Sequence, residues 1–206
     1  PEPALAGARA IALGANFGCM LDATNALACF GNNATAAFGN GAAGTCGDAL
    51  CNANETSATC AADCGAPPLT RLGRTYTAID ASWTRSTACG LRTDGKLECW
   101  GDNTFGQASK SIGEGFAIHP VETPFVVPGL DSCTQLSTGD KHSCAICNGA
   151  LFCWGDQRHG EVGAGPLGTR PATGPRMIAT QLEFEDFWVE VSAGIGFTCA
   201  RTMMGR

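Results

Sequence analysis

The stretch CGLRTDGKLECWGDNTFGQ, residues 89–107, decides the fold of this 206-residue chain. Two short apolar segments flank Asp94 and Gly95, and an Asp-Gly pair supplies the positive φ that tight hairpin turns need. The second segment ends in Cys-Trp-Gly, and a glycine-punctuated loop follows it. The pattern predicts two antiparallel strands joined by a tight turn, with one cysteine on each strand.

The same arrangement recurs along the chain. The first cysteines of the successive copies are Cys19, Cys89, Cys144 and Cys199, at spacings of 70, 55 and 55 residues. A separate cysteine-rich insert of 20 residues, Cys46–Gly65, lies in the first interval, and its removal leaves 50. This period matches a β-propeller blade and is too long for leucine-rich or tetratricopeptide repeats.

The repeat predicts an all-β fold, namely a partial β-propeller of about four units in an incomplete ring, with antiparallel blades stapled by disulfides within hairpins. The predicted divisions are residues 1–45 for the first unit, 46–65 for the insert, 66–130 for the second unit, 131–185 for the third and 186–206 for the start of a fourth. Because the fourth unit holds only its first strands, we expect the chain to be part of a longer propeller.

The cysteine positions predict a disulfide pattern. Two residues face each other across a hairpin when they are equally distant from its turn, and opposed strand residues lie close enough for a disulfide. The rule gives four bridges, Cys19–Cys29, Cys89–Cys99, Cys144–Cys153 and Cys133–Cys147. The insert adds Cys46, Cys51, Cys60 and Cys64, which form two further bridges of open connectivity. Cys199 is left over, because its hairpin partner would fall past Arg206.

Thirteen cysteines predict an oxidising compartment, since cytosolic proteins rarely keep disulfides. The alternative is a zinc site made of Cys144, Cys147, Cys153 and His142. Because the cysteines are spaced symmetrically about turns, disulfides are favoured over zinc. We therefore expect a secreted or cell-surface protein, or a periplasmic one.

Composition and motifs narrow the function. The net charge of −6 argues against nucleic-acid binding, which needs a basic face. No apolar run reaches the roughly 18 residues of a membrane span. Phosphate-binding, hydrolase and zinc-protease motifs are missing from the sequence, and its histidines, His119, His142 and His159, assemble no acid–base pair. We expect His142 to cap its hairpin turn, and we expect a binding protein rather than an enzyme.

The motif C-x-L-x-x-D-G-x-L-x-C-W-G-D-N-x-x-G-Q at residues 89–107, with CAICNGALFCWGDQRHGEVG at 144–163, resembles the repeat of the regulator of chromosome condensation family. The first unit departs from it, since Phe30 replaces the tryptophan. The resemblance implies a seven-bladed propeller. Known members include an exchange factor for a small GTPase and a bacterial inhibitor of β-lactamases, so the fold by itself fixes no function.

The insert resembles a short module of exported proteins from myxobacteria and related bacteria, which implies a bacterial source. It offers oxygen ligands of the type that Ca²⁺ prefers, at Asp48, Asn52, Asn54, Glu55 and Asp63. Their spacing is not that of an EF-hand loop. The alternative is that these side chains are solvated and that the disulfides alone hold the module. Calcium is the one cofactor that the sequence suggests.

Taken together, these features predict an extracellular or cell-surface scaffold for protein or glycan recognition. The expected partner is another protein or the remainder of its own propeller. A structural subunit of an extracellular filament or envelope complex is the main alternative, and an enzyme with catalytic residues outside this chain is a lesser one. The candidate binding rim comprises the loops Gly101–Gln107, Ser111–Pro124 and Gly155–Pro175.

Overall fold

The computed structural model describes residues 7–31, 70–109, 120–163, 172–177 and 187–205. All regular structure in these ranges is β, in the following strands: β1 (Ala10–Leu13), β2 (Phe17–Leu21), β3 (Ala26–Gly31), β4 (Thr70–Ala81), β5 (Thr87–Arg92), β6 (Lys96–Gly101), β7 (Val121–Asp131), β8 (Cys133–Thr138), β9 (His142–Cys147), β10 (Ala150–Gly155), β11 (Ala172–Met177), β12 (Trp188–Ala193) and β13 (Thr198–Thr202). None of these ranges contains a helix that could span a membrane.

The strands form open antiparallel sheets. Strands β1 to β7 are neighbours in chain order, β8 to β11 form a four-stranded sheet, and β12 pairs with β13. We call β1–β3 unit 1, β4–β7 unit 2, β8–β11 unit 3 and β12–β13 unit 4. The arrangement is that of a partial β-propeller, which confirms the predicted fold class. The predicted unit boundaries in the sequence stay a prediction.

Disulfides join the strands within the hairpins, as the predicted fold requires. Three of them link the second and third strands of units 1 to 3, and a fourth links the first two strands of unit 3. They are Cys19–Cys29, Cys89–Cys99, Cys144–Cys153 and Cys133–Cys147, with Cα–Cα distances of 3.8–4.1 Å. Each pair lies directly opposite in strand register. These bridges consume the thiols that the alternative zinc site would need.

The glycine of each Cys-Trp-Gly motif lets the following loop cross a neighbouring turn. Gly101 and Gly155 have φ of 92° and 110°, and a Cβ at Gly155 would lie 2.5 Å from the carbonyl oxygen of Lys141. The next residue then donates its backbone N–H across the turn, from Asp102 to the Ser86 oxygen at 2.9 Å. Only glycine fits this conformation together with such a close approach.

The tryptophans of the motif form the core of units 2 and 3. Trp100 and Trp154 are fully buried, and the rings of Trp100 and Tyr76 lie 5.9 Å apart. The Trp154 indole N–H donates to the Gln107 carbonyl oxygen at 2.8 Å, which satisfies its one polar group. Both tryptophans therefore pack their blades, and Trp154 also ties unit 3 to the loop of unit 2.

A buried carboxylate joins the strands of unit 2 at the end away from the loop that follows Cys-Trp-Gly. Glu98 is fully buried and accepts hydrogen bonds from the Tyr76 hydroxyl at 2.7 Å and the Arg92 guanidinium at 3.0 Å. Arg74 also pairs with it. Burial, followed by the bond to Glu98, raises the pKa of the Tyr76 hydroxyl, so Tyr76 stays a neutral donor.

Candidate binding surface

Units 2 and 3 are joined at two places by hydrogen bonds that unit 3 donates. The Asp80 carboxylate on β4 accepts the backbone N–H of Thr138 at 2.7 Å and its hydroxyl at 2.9 Å. Near the loops, the Ser143 hydroxyl donates to the Gln107 carbonyl oxygen at 3.0 Å. We call this contact junction 2/3.

Units 3 and 4 meet through bonds at the equivalent repeat positions. The Ser137 hydroxyl accepts the backbone N–H of Ala193 at 3.0 Å, and the Thr198 hydroxyl donates to the Glu161 carbonyl oxygen at 2.7 Å. We call this contact junction 3/4. Because the same bonds recur, successive units present their loops at the same end of the molecule.

That end carries the candidate binding surface, which we call the loop face. It consists of the loops at residues 101–109 and 155–163, with the turns at 82–86 and 139–141. The Thr84 hydroxyl of unit 2 donates to the Asp140 carboxylate of unit 3 at 2.6 Å, so the two turns are directly joined. The surface is built from parts of two units and depends on junction 2/3.

A phenylalanine ring lies at the centre of the loop face. Phe105 has three cationic groups within reach of its ring centroid: Arg85 at 5.4 Å, Lys141 at 5.1 Å and Arg158 at 5.1 Å. The negative charge on the face of an aromatic ring attracts such cations. The cations come from both units, so Phe105 also strengthens junction 2/3.

The three cations form ion pairs with three aspartates. Arg158 forks onto Asp156 at 2.6 and 2.9 Å, and Arg85 lies 3.6 Å from Asp140 and 3.8 Å from Asp102. Lys141 also lies 3.6 Å from Asp140. Burial alone would raise the pKa of Asp156, but the hydrogen bonds and charge of Arg158 outweigh it and lower that pKa.

The charges of this cluster are layered by exposure. The side chains of Asp102, Asp140 and Asp156 are only 12%, 15% and 0% exposed. The side chains of Arg85, Lys141 and Arg158 are 38%, 28% and 45% exposed. The cluster is neutral in sum, but the part that meets solvent is cationic, on a chain whose net charge is −6.

In the loop of unit 3, a histidine and a glutamate replace the phenylalanine and glutamine of unit 2. The Glu161 carboxylate accepts the backbone N–H of His159 at 2.7 Å, as the Gln107 side chain accepts that of Phe105 at 2.8 Å. The acid ligand atoms of Asp156 and Glu161 lie within 4.8 Å of His159, a spacing compatible with a metal ion. Since Arg158 and the loop backbone already use these carboxylates, we assign no metal here.

His142 differs from its expected role as a turn cap. It begins β9, is 1% exposed, and its Nε2 lies 2.8 Å from the Thr198 hydroxyl. That hydroxyl donates its own hydrogen bond to the backbone carbonyl oxygen of Glu161, so in the neutral ring Nε2 carries the proton and is the donor, and Nδ1 carries none. Burial lowers the pKa of His142, and the charges of Glu161, Asp156 and Asp140 oppose that effect only in part.

A cavity of about 390 Å³ lies beside His142 at junction 3/4. Its lining includes Asp140, His159, Glu161 and Ile195. It corresponds to the place that Phe105 fills at junction 2/3, because His159 takes the repeat position of Phe105. The two junctions therefore share the same pattern of hydrogen bonds, but a phenylalanine ring occupies the space between the loops at junction 2/3 and a cavity lies there at junction 3/4.

Several predicted site residues lie outside the described residues. These are the insert cysteines Cys46, Cys51, Cys60 and Cys64 and the calcium ligands Asp48, Asn52, Asn54, Glu55 and Asp63. The calcium site and the insert bridges stay predictions. Of the predicted rim, loop 101–107 and the first part of loop 155–175 form the loop face.

The basic residues of the loop face are not among the site residues predicted from the sequence. Arg85 and Lys141 stand four and three residues before the second-strand cysteines of consecutive units. Aligning the turns as well as the cysteines would have placed both beside the Cys-Trp-Gly loop. The recurrence of a basic residue in this turn is visible in the sequence, but its meaning depends on knowing how one unit contacts the next.

Comparison with known proteins places the repeat in a known class. Residues 77–107 match the family model described as Regulator of chromosome condensation (RCC1) repeat. The ultraviolet-B receptor UVR8 of Arabidopsis thaliana is 34% identical over 89 residues, and the secretion-regulating guanine nucleotide exchange factor of Bos taurus is 28% identical over 101 residues. These matches cover 42% and 43% of this chain, and 19% and 21% of the relatives.

Solved structures agree on the fold. Prp20p of Saccharomyces cerevisiae superposes with a TM-score of 0.69 at 18% identity, over 94% of this chain and 43% of that one. Human WBSCR16 gives 0.69 at 18% identity, over 96% of this chain and 46% of that one. The chain thus spans less than half of these structures and about a fifth of the curated relatives.

Proposed function

The chain carries β-propeller repeats of the RCC1 type, and from this premise we propose that it is a recognition scaffold whose loop face binds an acidic segment of a partner protein. One similar structure is described by its binding to Gsp1p and histones, and another as yeast RCC1 bound to Kap60. Those partners are partners of the yeast proteins. The two structures support protein recognition as the class of function for this fold.

The layered charge of the loop face carries the proposal. Its aspartates are buried beneath Arg85, Lys141 and Arg158, which extend into solvent. A partner would therefore meet guanidinium and ammonium groups that are already held in place, so little side-chain entropy is lost on binding. Guanidinium groups are suited to carboxylates because they donate paired, planar hydrogen bonds.

Phe105 supplies an apolar anchor in the middle of these charges. Aromatic and arginine side chains dominate the binding energy of protein interfaces, usually near the centre of the contact. Around the half-buried Phe105 ring, the cations would form a polar rim. This composition favours a protein surface over a small, enclosed ligand.

The disulfides support a setting outside the reducing cytosol. Four of them lie in the described hairpins, and such bridges persist in oxidising compartments. We propose that the protein acts after secretion, at or beyond the cell surface.

Affinity capture from the surface fraction of the native organism tests the proposal. The immobilised chain should retain an acidic partner, and Lys141→Glu should abolish most of that capture by reversing charge beside Phe105. Lys96→Glu makes the same charge change on an exposed residue at the opposite end of unit 2 and should capture normally. Binding should weaken steeply as salt is raised, because the contact is between exposed charges.

Equal capture by both variants would place the binding surface elsewhere on the propeller. Capture that is insensitive to salt would contradict the acidic partner while leaving a role in recognition intact. Circular dichroism of both variants checks that the charge reversals leave the fold unchanged.

A further inference from the structure

Trp83 lies exposed in the turn between β4 and β5, which belongs to the loop face. It is 61% exposed, although Ser82 before it is fully buried and Thr84 after it is half-buried. The buried cores of the described blades do not include it. Because tryptophan is highly buried on average in soluble proteins, an indole in solvent calls for an explanation.

The turn that carries Trp83 is two residues longer than its counterparts. In unit 2 the backbone hydrogen bond that closes the turn runs from the Ser82 N–H to the Thr87 oxygen at 2.9 Å and spans four residues. In units 1, 3 and 4 the same bond spans two residues, and it joins Gly14 to Phe17, Gly139 to His142, and Gly194 to Phe197. Since two residues are enough to connect the strands, the repeat does not require the longer turn or its exposed indole.

This longer turn is fixed on both sides of Trp83. The Ser82 hydroxyl accepts the backbone N–H of Arg85 at 3.1 Å, and the Thr84 hydroxyl donates to the Asp140 carboxylate at 2.6 Å. The backbone that presents the indole is therefore ordered before any partner arrives. A bulky aromatic side chain on such a turn offers a large contact area at a low cost in conformational entropy.

Cationic groups lie next to Trp83 on the loop face. Arg85 follows it by two residues, so their Cα atoms are at most about 7 Å apart. Arg85 Nε and Lys141 Nζ both lie 3.6 Å from the Asp140 carboxylate, which keeps these two charges close together. The loop face thus offers an indole beside a guanidinium and an ammonium group.

The burial of the acidic side chains favours a peptide over a sugar at this surface. Sugar hydroxyls need acceptors as well as donors, but the side chains of Asp102 and Asp140 are only 12% and 15% exposed and are already paired. The carboxylates of a peptide need only the donors that Arg85 and Lys141 present. Alternate side chains of an extended peptide share one face and lie about 7 Å apart, which is similar to the spacing between Trp83 and Arg85.

We propose that the acidic segment is extended and carries one aromatic ring and two acidic residues at alternate positions, with the ring on Trp83 and the carboxylates on Arg85 and Lys141. This inference rests on the proposed function and adds to it the form of the partner segment. The ring pair supplies apolar contact, which salt does not screen. The carboxylates supply charge-assisted hydrogen bonds.

The probes are the heptapeptide Ser-Tyr-Ser-Glu-Ser-Glu-Ser and its reverse, because the spacing does not fix the direction of the peptide. One control replaces tyrosine by alanine. The other, Ser-Tyr-Glu-Ser-Glu-Ser-Ser, keeps the composition but moves both acids by one position, to the other face of an extended chain. Titration of the ¹⁵N-labelled protein, followed by NMR, gives the dissociation constants and reports on the Trp83 indole N–H.

We expect the better of the two probes to bind about tenfold more tightly than either control, since aromatic anchors of this kind dominate binding energy. Trp83→Ala should remove that advantage and leave binding of the alanine peptide unchanged, whereas Trp83→Phe should keep most of it. Phe187 is 50% exposed and lies against Gly149, at the end of unit 3 away from the loop face. Phe187→Ala is therefore the matched control and should bind as the parent does.

Equal binding of the tyrosine and alanine peptides would overturn this inference and leave the acidic partner standing. Binding of neither peptide would contradict the proposed function as well. Tighter, Trp83-dependent binding of a sulfated oligosaccharide such as a heparin fragment would overturn the inference in favour of an acidic glycan.

Discussion

Junctions 2/3 and 3/4 use the same hydrogen bonds to join their units, but they differ in what fills the space between the loops. At junction 2/3, the Trp154 indole donates to the Gln107 carbonyl oxygen, and the Phe105 ring centroid lies 5.1–5.4 Å from three cations. At junction 3/4, His142 bonds to Thr198 beside a cavity of about 390 Å³. The backbone pattern of the repeat sets the geometry between units, while a few side chains decide how tightly each junction is sealed.

The largest difference should come from tryptophan. Trp154→Ala removes a fully buried ring and its bond across junction 2/3, and we expect it to lower the free energy of unfolding by about 3–5 kcal/mol. Trp83 is 61% exposed, so Trp83→Ala should stay within about 0.5 kcal/mol of the parent. Urea unfolding without reductant measures both. Similar losses for the two variants would mean that Trp154 does not seal the junction.

Loss of a disulfide within a hairpin should have the next largest effect on the free energy of unfolding. Replacing both cysteines of the Cys89–Cys99 pair by alanine should cost about 2–3 kcal/mol, since the bridge closes a loop of 10 residues in the unfolded chain. The Cys144–Cys153 pair, with a separation of 9, should cost the same within about 0.5 kcal/mol if loop closure dominates. A clearly larger loss for Cys144–Cys153 would show that its contact with Thr198 stabilises junction 3/4.

The matched bonds between the first strands allow a finer comparison. Asp80→Ala removes a charged acceptor that serves two donors of Thr138, and should cost about 1.5–3 kcal/mol. Ser137→Ala removes a neutral acceptor from the backbone N–H of Ala193 and should cost about 0.5–1.5 kcal/mol. Thermal unfolding of the two variants ranks them. The reverse order would indicate that junction 3/4 is the stronger one.

The smallest effect is a pH dependence confined to junction 3/4. Burial keeps the pKa of His142 in the folded state below the ordinary value of 6.5. The unfolded chain therefore binds a proton more readily than the folded chain. The stabilisation from the neutral ring is complete above pH 6.5, and it declines as pH falls from there toward the pKa of the folded state.

Urea midpoints at pH 7.5, 6.5 and 5.5 measure this decline, which has a limit of about 1.4 kcal/mol per pH unit for one proton. Since glutamine does not titrate, the His142→Gln variant should lose the part of the slope that His142 contributes. His159, which is largely exposed, provides the control, because His159→Gln should keep that slope. If the pH dependence of the urea midpoint were unchanged in His142→Gln, it would have to come from other titratable groups.

Sequence predicted the parts of this fold that depend on short-range geometry. The turn around Asn148 and Gly149 has both residues at positive φ, and it sets Cys144 opposite Cys153 as expected. The numbering of the cysteines was sufficient because a hairpin fixes its own register. No contact between units was needed for that argument.

The contacts between units could not be predicted in the same way. Phe105 meets Lys141 and Arg158, which are far from it in sequence, and the rotation between blades decides whether they touch. The role of His142 was also misjudged, because its partner Thr198 belongs to the next unit. Calcium titration of the intact protein would test the prediction for the insert.

Strand β4 has a consequence for how such an array can be divided. Its residues Thr70–Thr75 pair with β3, while Tyr76–Ala81 pair with β5. One unbroken strand therefore forms backbone hydrogen bonds with unit 1 in its first half and with the rest of unit 2 in its second half. Between β7 and β8, by contrast, the chain turns at Ser132, where φ is 54°. Gene fusions or deletions that cut at Ser132 would keep intact strands on both sides. A cut between units 1 and 2 would leave half of β4 without its ladder, so these two units should be inherited, exchanged or engineered as one block.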